Sequence, residues 1–126
     1  MIILNVRYIF HSGFLVETPA GYYLFDYYRG ELPQLETQKP ITVFSSHSHP
    51  DHYNPEIFTI LRGIGMKDIY AVFSKDISEK KYPKDIKVLR ATANTTDDLP
   101  NGEHFETVKS TDSGVAFLVT TKEGII

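Results

Sequence analysis

Eight short runs of apolar or alternating residues, each bounded by turn-forming residues, narrow the folds open to this chain: Ile2–Phe10, Phe14–Thr18, Tyr22–Tyr27, Ile41–Ser46, Ile69–Ser74, Lys87–Thr92, His104–Ser110 and Val115–Thr121. Runs of this length, with a two-residue period or continuous apolar character, predict strands. Pro19-Ala20-Gly21 reads as the hairpin turn between the second and third, and Asp112-Ser113-Gly114 as the turn between the last two. The first three runs follow one another almost without pause, which predicts an opening antiparallel meander.

One helix interrupts the strands. Asn54 is a natural N-cap, Pro55 suits a first helical position and Glu56 sets negative charge against the helix N-terminus. Ile57, Ile60, Leu61 and Ile64 then fall on one face, and Gly63 with Gly65 marks the end. A second, shorter helix is expected around Asp76–Lys81, its Lys80-Lys81 pair forming a solvated face. Arg29–Lys39 and Ala93–Gly102 read as surface loops, and neither a repeat nor a low-complexity tract occurs. Tyr22, Tyr23 and Phe25 are expected in the core, and Arg62 and Lys67 on the outer face of the helix. Consecutive strands with a helix near the middle predict an α/β or α+β class with a mixed sheet.

A length of 126 residues predicts one domain, 1–126, read as incomplete at its C-terminal end. A composition of 41% hydrophobic and 13% aromatic residues can build a core and excludes global disorder. Thirteen Lys and Arg against sixteen Asp and Glu leave a net charge of -3, which argues against a nucleic-acid or anionic-membrane binder. No apolar run approaches the roughly 20 residues of a membrane span. The start, Met1 to Arg7, lacks the features of a secretory signal, so a cytoplasmic location is the default expectation. With no cysteine in the chain, any metal must be held by His and carboxylate. The closing Lys122-Glu123-Gly124-Ile125-Ile126 reads as a turn entering a further apolar strand. Either the Ile pair joins a sheet edge or the chain is the front part of something longer.

Three of the five histidines lie in Ser45-Ser46-His47-Ser48-His49-Pro50-Asp51-His52. The run follows the apolar segment Ile41-Thr42-Val43-Phe44 and precedes the helix, so it occupies a strand-to-helix loop, where sites commonly sit. The run is either a polar turn with incidental histidines or a metal site, and as a site His47 and His49, one residue apart in extended backbone, can point to one side and converge on one ion. Asp51 and His52, beyond the turn at Pro50, address a second, adjacent position. Nitrogen and oxygen ligands without sulfur suit Zn²⁺, one or two ions, with Mn²⁺ or Fe²⁺ as alternatives. A metal so held lowers the pKa of a bound water to about 7, and Asp51 is placed to orient or deprotonate that water. The implied reaction class is hydrolysis.

His47-Ser48-His49-Pro50-Asp51-His52 resembles the signature of the metallo-β-lactamase superfamily of metal-dependent hydrolases. Phe10-His11-Ser12-Gly13-Phe14 is similar to the opening hairpin of its ascorbate-lactonase-like branch, and Leu24-Phe25-Asp26 to the family's strand ending in an aspartate near the metal loop. The resemblance implies an αβ/βα sandwich with its site at one edge of two sheets, His47 and His49 on a first metal, and Asp51 with His52 on a second. It leaves the substrate open among several hydrolysable bond types.

The chain departs from that pattern downstream. The stretch matching the family's next ligand is Ser110-Thr111-Asp112-Ser113-Gly114, without a His; Asp112 is either a substitute metal ligand or an ordinary turn residue. The family's later bridging Asp and last His have no counterpart before Ile126, so the resemblance implies roughly the first half of the fold. His104, in an alternating run, reads as a strand surface residue. His11 either reaches the site or is a satisfied histidine. Asp26 is read as the carboxylate that orients the histidine loop, and Tyr27-Tyr28-Arg29 as either a pocket for an anionic group or a strand edge. Two function classes follow. The first is a metal-dependent hydrolase of a small-molecule ester, lactone or phosphoester. The second is a metal-binding, catalytically incomplete half-domain that acts through a second copy or a second half.

Overall fold

Continuous apolar runs along the central strands decide the architecture, because each of these strands then carries apolar residues on both faces. The computed structural model describes residues 5–10, 13–48, 50, 52–109, 115–121 and 126. Strands β1 (Asn5–Phe10), β2 (Gly13–Thr18), β3 (Gly21–Phe25), β4 (Ile41–Ser45), β5 (Ile69–Ser74) and β6 (Lys87–Ala91) lie side by side in chain order. β1, β2 and β3 pair antiparallel, while β3 to β6 run parallel. The expected meander and mixed sheet are both present. A second, antiparallel sheet contains β7 (Thr96–Asp98), β8 (His104–Lys109) and β9 (Val115–Thr120).

One face of the large sheet receives helix α1 (Glu56–Ile64): Ile57, Phe58 and Leu61 pack with Leu24, Ile41, Val43, Ala71 and Phe73. The other face receives the small sheet, where Val16, Tyr23, Phe44 and Val72 meet Leu99, Phe105 and Val119. All five residues of β4 are buried, the continuous apolar signature of a strand covered on both sides. Phe44 sits at the centre of the inter-sheet layer, stacked on Phe25 at 4.7 Å between ring centroids and edge-on to Phe117 at 5.0 Å. The layers are therefore helix, mixed sheet and antiparallel sheet, an α/β arrangement with one α-helix among the described residues.

Several local expectations are corrected. The helix begins one residue late, at Glu56, yet Asn54 still caps it: its Oδ1 accepts from Glu56 N–H at 3.0 Å and its carbonyl from Ile57 N–H at 3.1 Å. At the other end Gly65 takes φ 106 and donates to Leu61 and Arg62, while Met66 also donates to Leu61. That reversal needs the left-handed region, which glycine enters without penalty. Phe58 joins the buried stripe and Ile64 is 39% exposed, because the last turn lies outside the helix's buried contact. Lys67 falls beyond the helix end rather than on its outer face. The expected second helix is a single 3₁₀ turn, Glu79–Lys81, too short to bury a face. β7 lies inside the expected Ala93–Gly102 loop; all three of its residues are exposed, so no apolar alternation marks it. Arg29–Lys39 tucks Leu35 into the helix-side core and is not wholly superficial. Phe25 is only partly buried.

Ile126 exchanges two backbone hydrogen bonds with Val119, at 2.9 and 3.0 Å, and packs on the inter-sheet core, so it joins the edge of β9. Val6, Tyr8 and Phe14, on the β1–β2 pair, are 59%, 57% and 42% exposed. Among the described residues no helix is long and apolar enough to cross a membrane.

Candidate metal centre

The carboxyl ends of β3, β4 and β5 deliver polar side chains to one place. β3 ends at Phe25 and β4 at Ser45, and the residues that follow, Asp26 and Ser46-His47, meet at once. Asp26 N–H donates to the Phe44 carbonyl at 2.8 Å, and its backbone adopts φ 48, a left-handed conformation that Asp tolerates better than most residues. Its carboxylate then faces the histidine loop. Oδ1 accepts from Ser46 N–H at 2.7 Å, and Oδ2 accepts from Ser46 Oγ at 2.8 Å and bonds His52 Nδ1 at 3.2 Å.

These bonds set proton positions. An ionised carboxylate only accepts, so His52 Nδ1 carries the hydrogen. Ser46 Oγ spends its one hydrogen on Asp26, so in its 2.7 Å bond with His47 Nδ1 the ring donates. In the neutral form of each imidazole this leaves the lone pair on Nε2, the arrangement of a metal-binding histidine braced by a carboxylate or hydroxyl. The His47 and His52 rings approach to 4.7 Å between centroids at 40°, and His47 is buried. The donor set fits a divalent metal with nitrogen preference.

Asp76 braces the loop from β5. It accepts from Ser48 N–H at 3.1 Å and from the Ser74 hydroxyl. Partial burial pushes its carboxyl up, but the bonds from Ser74 and Ser48 and the nearby His47 outweigh this, and it titrates below the ordinary aspartate range. Sequence reasoning had Asp76 only as the start of a short helix. The available signal was an acidic residue just past a strand end, which becomes meaningful once β5 is known to lie beside β4.

The remaining expected site residues divide plainly. His49, Asp51, Asp112 and His11 lie outside the described residues. Among the described residues no group of three or more His, Asp or Glu forms a metal-ligand cluster, so the pair His47 and His52 is what the structure brings together. The strand following Asp112 starts at the site, with Val115 N–H donating to the Ser46 carbonyl at 3.0 Å. His104 is exposed at the start of β8, bonded to Asp98, at the end of that strand remote from Ser46. Tyr27 is buried and its hydroxyl donates to the Gly30 carbonyl at 2.8 Å, whereas Tyr28 lines a cleft. That cleft, of about 640 Å³, borders the histidine loop and is also lined by Ser48, Tyr53, Asn54, Lys80 and Lys81. A cavity of about 290 Å³, lined by Tyr70, Lys87 and Asp97 among others, opens at the opposite end of the parallel strands.

No protein-family model matches the chain, and the search of curated proteins found no match. Among solved structures it is similar to Igni18, a metallo hydrolase from the hyperthermophilic archaeon Ignicoccus hospitalis, with a TM-score of 0.61 and 22% identity. The match covers 96% of this chain and 57% of Igni18, so the chain spans somewhat more than half the length of that protein. At this identity the likeness is one of fold. The chain carries a metallo-hydrolase-like fold, with its paired imidazoles at the carboxyl ends of the parallel strands.

Proposed function

We propose that this chain provides the metal centre of a metal-dependent hydrolase that acts on a small-molecule ester, lactone or phosphoester. The observation that carries this reading is the Asp26–Ser46–His47/His52 network, which directs both rings' lone pairs to Nε2. Packing alone has no need for two imidazoles tied to one carboxylate, His52 directly and His47 through Ser46 Oγ. His47 and His49 would hold a first Zn²⁺, and Asp51 with His52 a second, with Asp112 as a further candidate ligand. Zinc bound there supplies Lewis acidity and a water whose pKa falls to about 7. Asp26 and Ser46 hold the ring protons on Nδ1, Asp76 fixes the backbone at Ser48, and Asp51 would take up the proton of the attacking water. Mn²⁺ or Fe²⁺ would suit the same donors.

The test is metal content per chain, by elemental analysis of protein purified without chelator or polyhistidine tag. One or two equivalents of zinc, lost in the His47→Ala/His49→Ala variant, are expected. A folded protein that stays metal-free in excess zinc would sink the proposal.

A second reading is favoured by the uncovered apolar face of Val6, Tyr8 and Phe14 together with the 57% span of Igni18. In it the chain binds metal but turns over substrate only when a second copy or a second half covers that face. Hydrolysis of generic ester, lactone or phosphodiester substrates by the 126-residue chain as a monomer would exclude it.

A further inference from the structure

Resting on the hydrolase reading, we infer that the cleft beside the histidine loop is an anion subsite, in which Lys80 and Lys81 select substrates bearing an oxyanion substituent such as a carboxylate or phosphate. The two lysines look like an ordinary solvated pair in sequence, but their backbone is anchored to the site. Ser78 caps the 3₁₀ turn, its Oγ accepting from Lys80 N–H at 3.3 Å and its carbonyl from Lys81 N–H at 2.9 Å. The hydroxyl of Tyr53, the residue after His52, donates to the Lys81 carbonyl at 2.5 Å. The Tyr53 ring is in turn held edge-on to Phe73 at 5.0 Å. Both lysines therefore stand on a turn tied to the metal loop, and both line the same cleft as Ser48.

Among the described residues that line the cleft, the charge is one-sided. No Asp or Glu lines it among the described residues, and neither ammonium has a described carboxylate partner. Glu79, next in sequence, is drawn away to Arg90 at 3.2 Å. Arg29 adds a third cation beside the wall, its guanidinium 4.5 Å from the centre of the Tyr28 ring and bonded to that hydroxyl at 2.6 Å. This local excess sits on a chain whose net charge is -3, so the cationic cleft is not a consequence of general basicity. Lysine ammonium groups recognise oxyanions as point charges and, remaining hydrated, impose little desolvation cost. A cleft of about 640 Å³ is also of the size that small-molecule sites occupy.

The test uses phenyl phosphate, benzoate and uncharged benzyl alcohol as probes, titrated into the metal-free protein at low salt and followed by ¹H–¹⁵N spectra. Both anions are expected to shift the amides of Lys80, Lys81, Tyr53 and Asn54, the dianion more tightly, and benzyl alcohol to leave them in place. Lys80→Gln/Lys81→Gln should weaken phenyl phosphate at least about fivefold, and Lys67→Gln should not. Anion shifts centred elsewhere, or affinity unchanged in the double variant, would overturn the inference. The zinc-loaded protein is then compared on anionic and neutral 4-nitrophenyl esters, where the double variant should lose the anionic preference in kcat/KM. Lysine-dependent binding without zinc uptake or esterase activity refutes the hydrolase reading and leaves the anion site. Ester hydrolysis with lysine-independent binding refutes the anion site alone.

Discussion

Replacing Asp26 by Asn tests the logic of the centre at one atom. The carboxylate accepts at Oδ1 from Ser46 N–H at 2.7 Å, and at Oδ2 from Ser46 Oγ at 2.8 Å and His52 Nδ1 at 3.2 Å. An asparagine keeps the first bond through its oxygen but presents an NH₂ group where Oδ2 stood. Ser46 Oγ must then accept, its hydrogen turns to His47 Nδ1, and His52 Nδ1 must accept as well. Both imidazoles are driven to carry their proton on Nε2, the atom required for metal. Loss of such bracing typically costs 10–100-fold in metal affinity, or about 1.4–2.8 kcal/mol. The fold should survive, because the bonds persist as neutral ones at a cost of about 1–2 kcal/mol, against a total stability of about 5–15 kcal/mol. Long-range ¹H–¹⁵N spectra of the histidine rings at pH 8 in metal-free protein report the tautomers directly, and a competitive zinc titration reports affinity. Nε2-protonated rings in the wild type, or equal zinc affinity in Asp26→Asn, would refute the reasoning.

Other substitutions probe the fold around the centre. Gly21→Ala places a Cβ 2.6 Å from the Pro40 carbonyl oxygen at φ +151 and should cost about 2 kcal/mol or more in urea unfolding. Gly63→Ala meets no atom within 4 Å on an exposed helical position and should stabilise by about 0.5 kcal/mol in the same assay. Tyr27 is held above its ordinary pKa of 10.0 by burial and by Glu56, so the folded state keeps the phenolic proton more tightly than the unfolded chain. Its contribution is complete at neutral pH and fades as pH rises past about 10; Tyr27→Phe should flatten that alkaline loss in melting curves recorded from pH 8 to 11. His104→Ala should leave zinc content unchanged, and lost zinc would place His104 at the centre after all.

Most elements were legible from neighbours along the chain. Short, near-continuous apolar runs mark β2 to β5, the Asn54-Pro55-Glu56 start and the Gly65 stop mark the helix, and covalent proximity alone puts His47 and His52 in one loop. β7 escaped because it is short and exposed on every residue, held by backbone pairing with β8 that leaves no side-chain pattern. Asp26 was readable as an orienting carboxylate, but which atoms it braces was not.

Its partners lie 20 and 26 residues further on, and Asp76 binds a residue 28 positions before it. Those meetings depend on the parallel order β3, β4, β5, which aligns three strand ends in space. Local periodicity reports which face of a strand is buried, since that is a property of consecutive residues. Tautomer, bracing and the cationic cleft arise from groups joined only by packing and long-range hydrogen bonds, so the folded arrangement alone decides them.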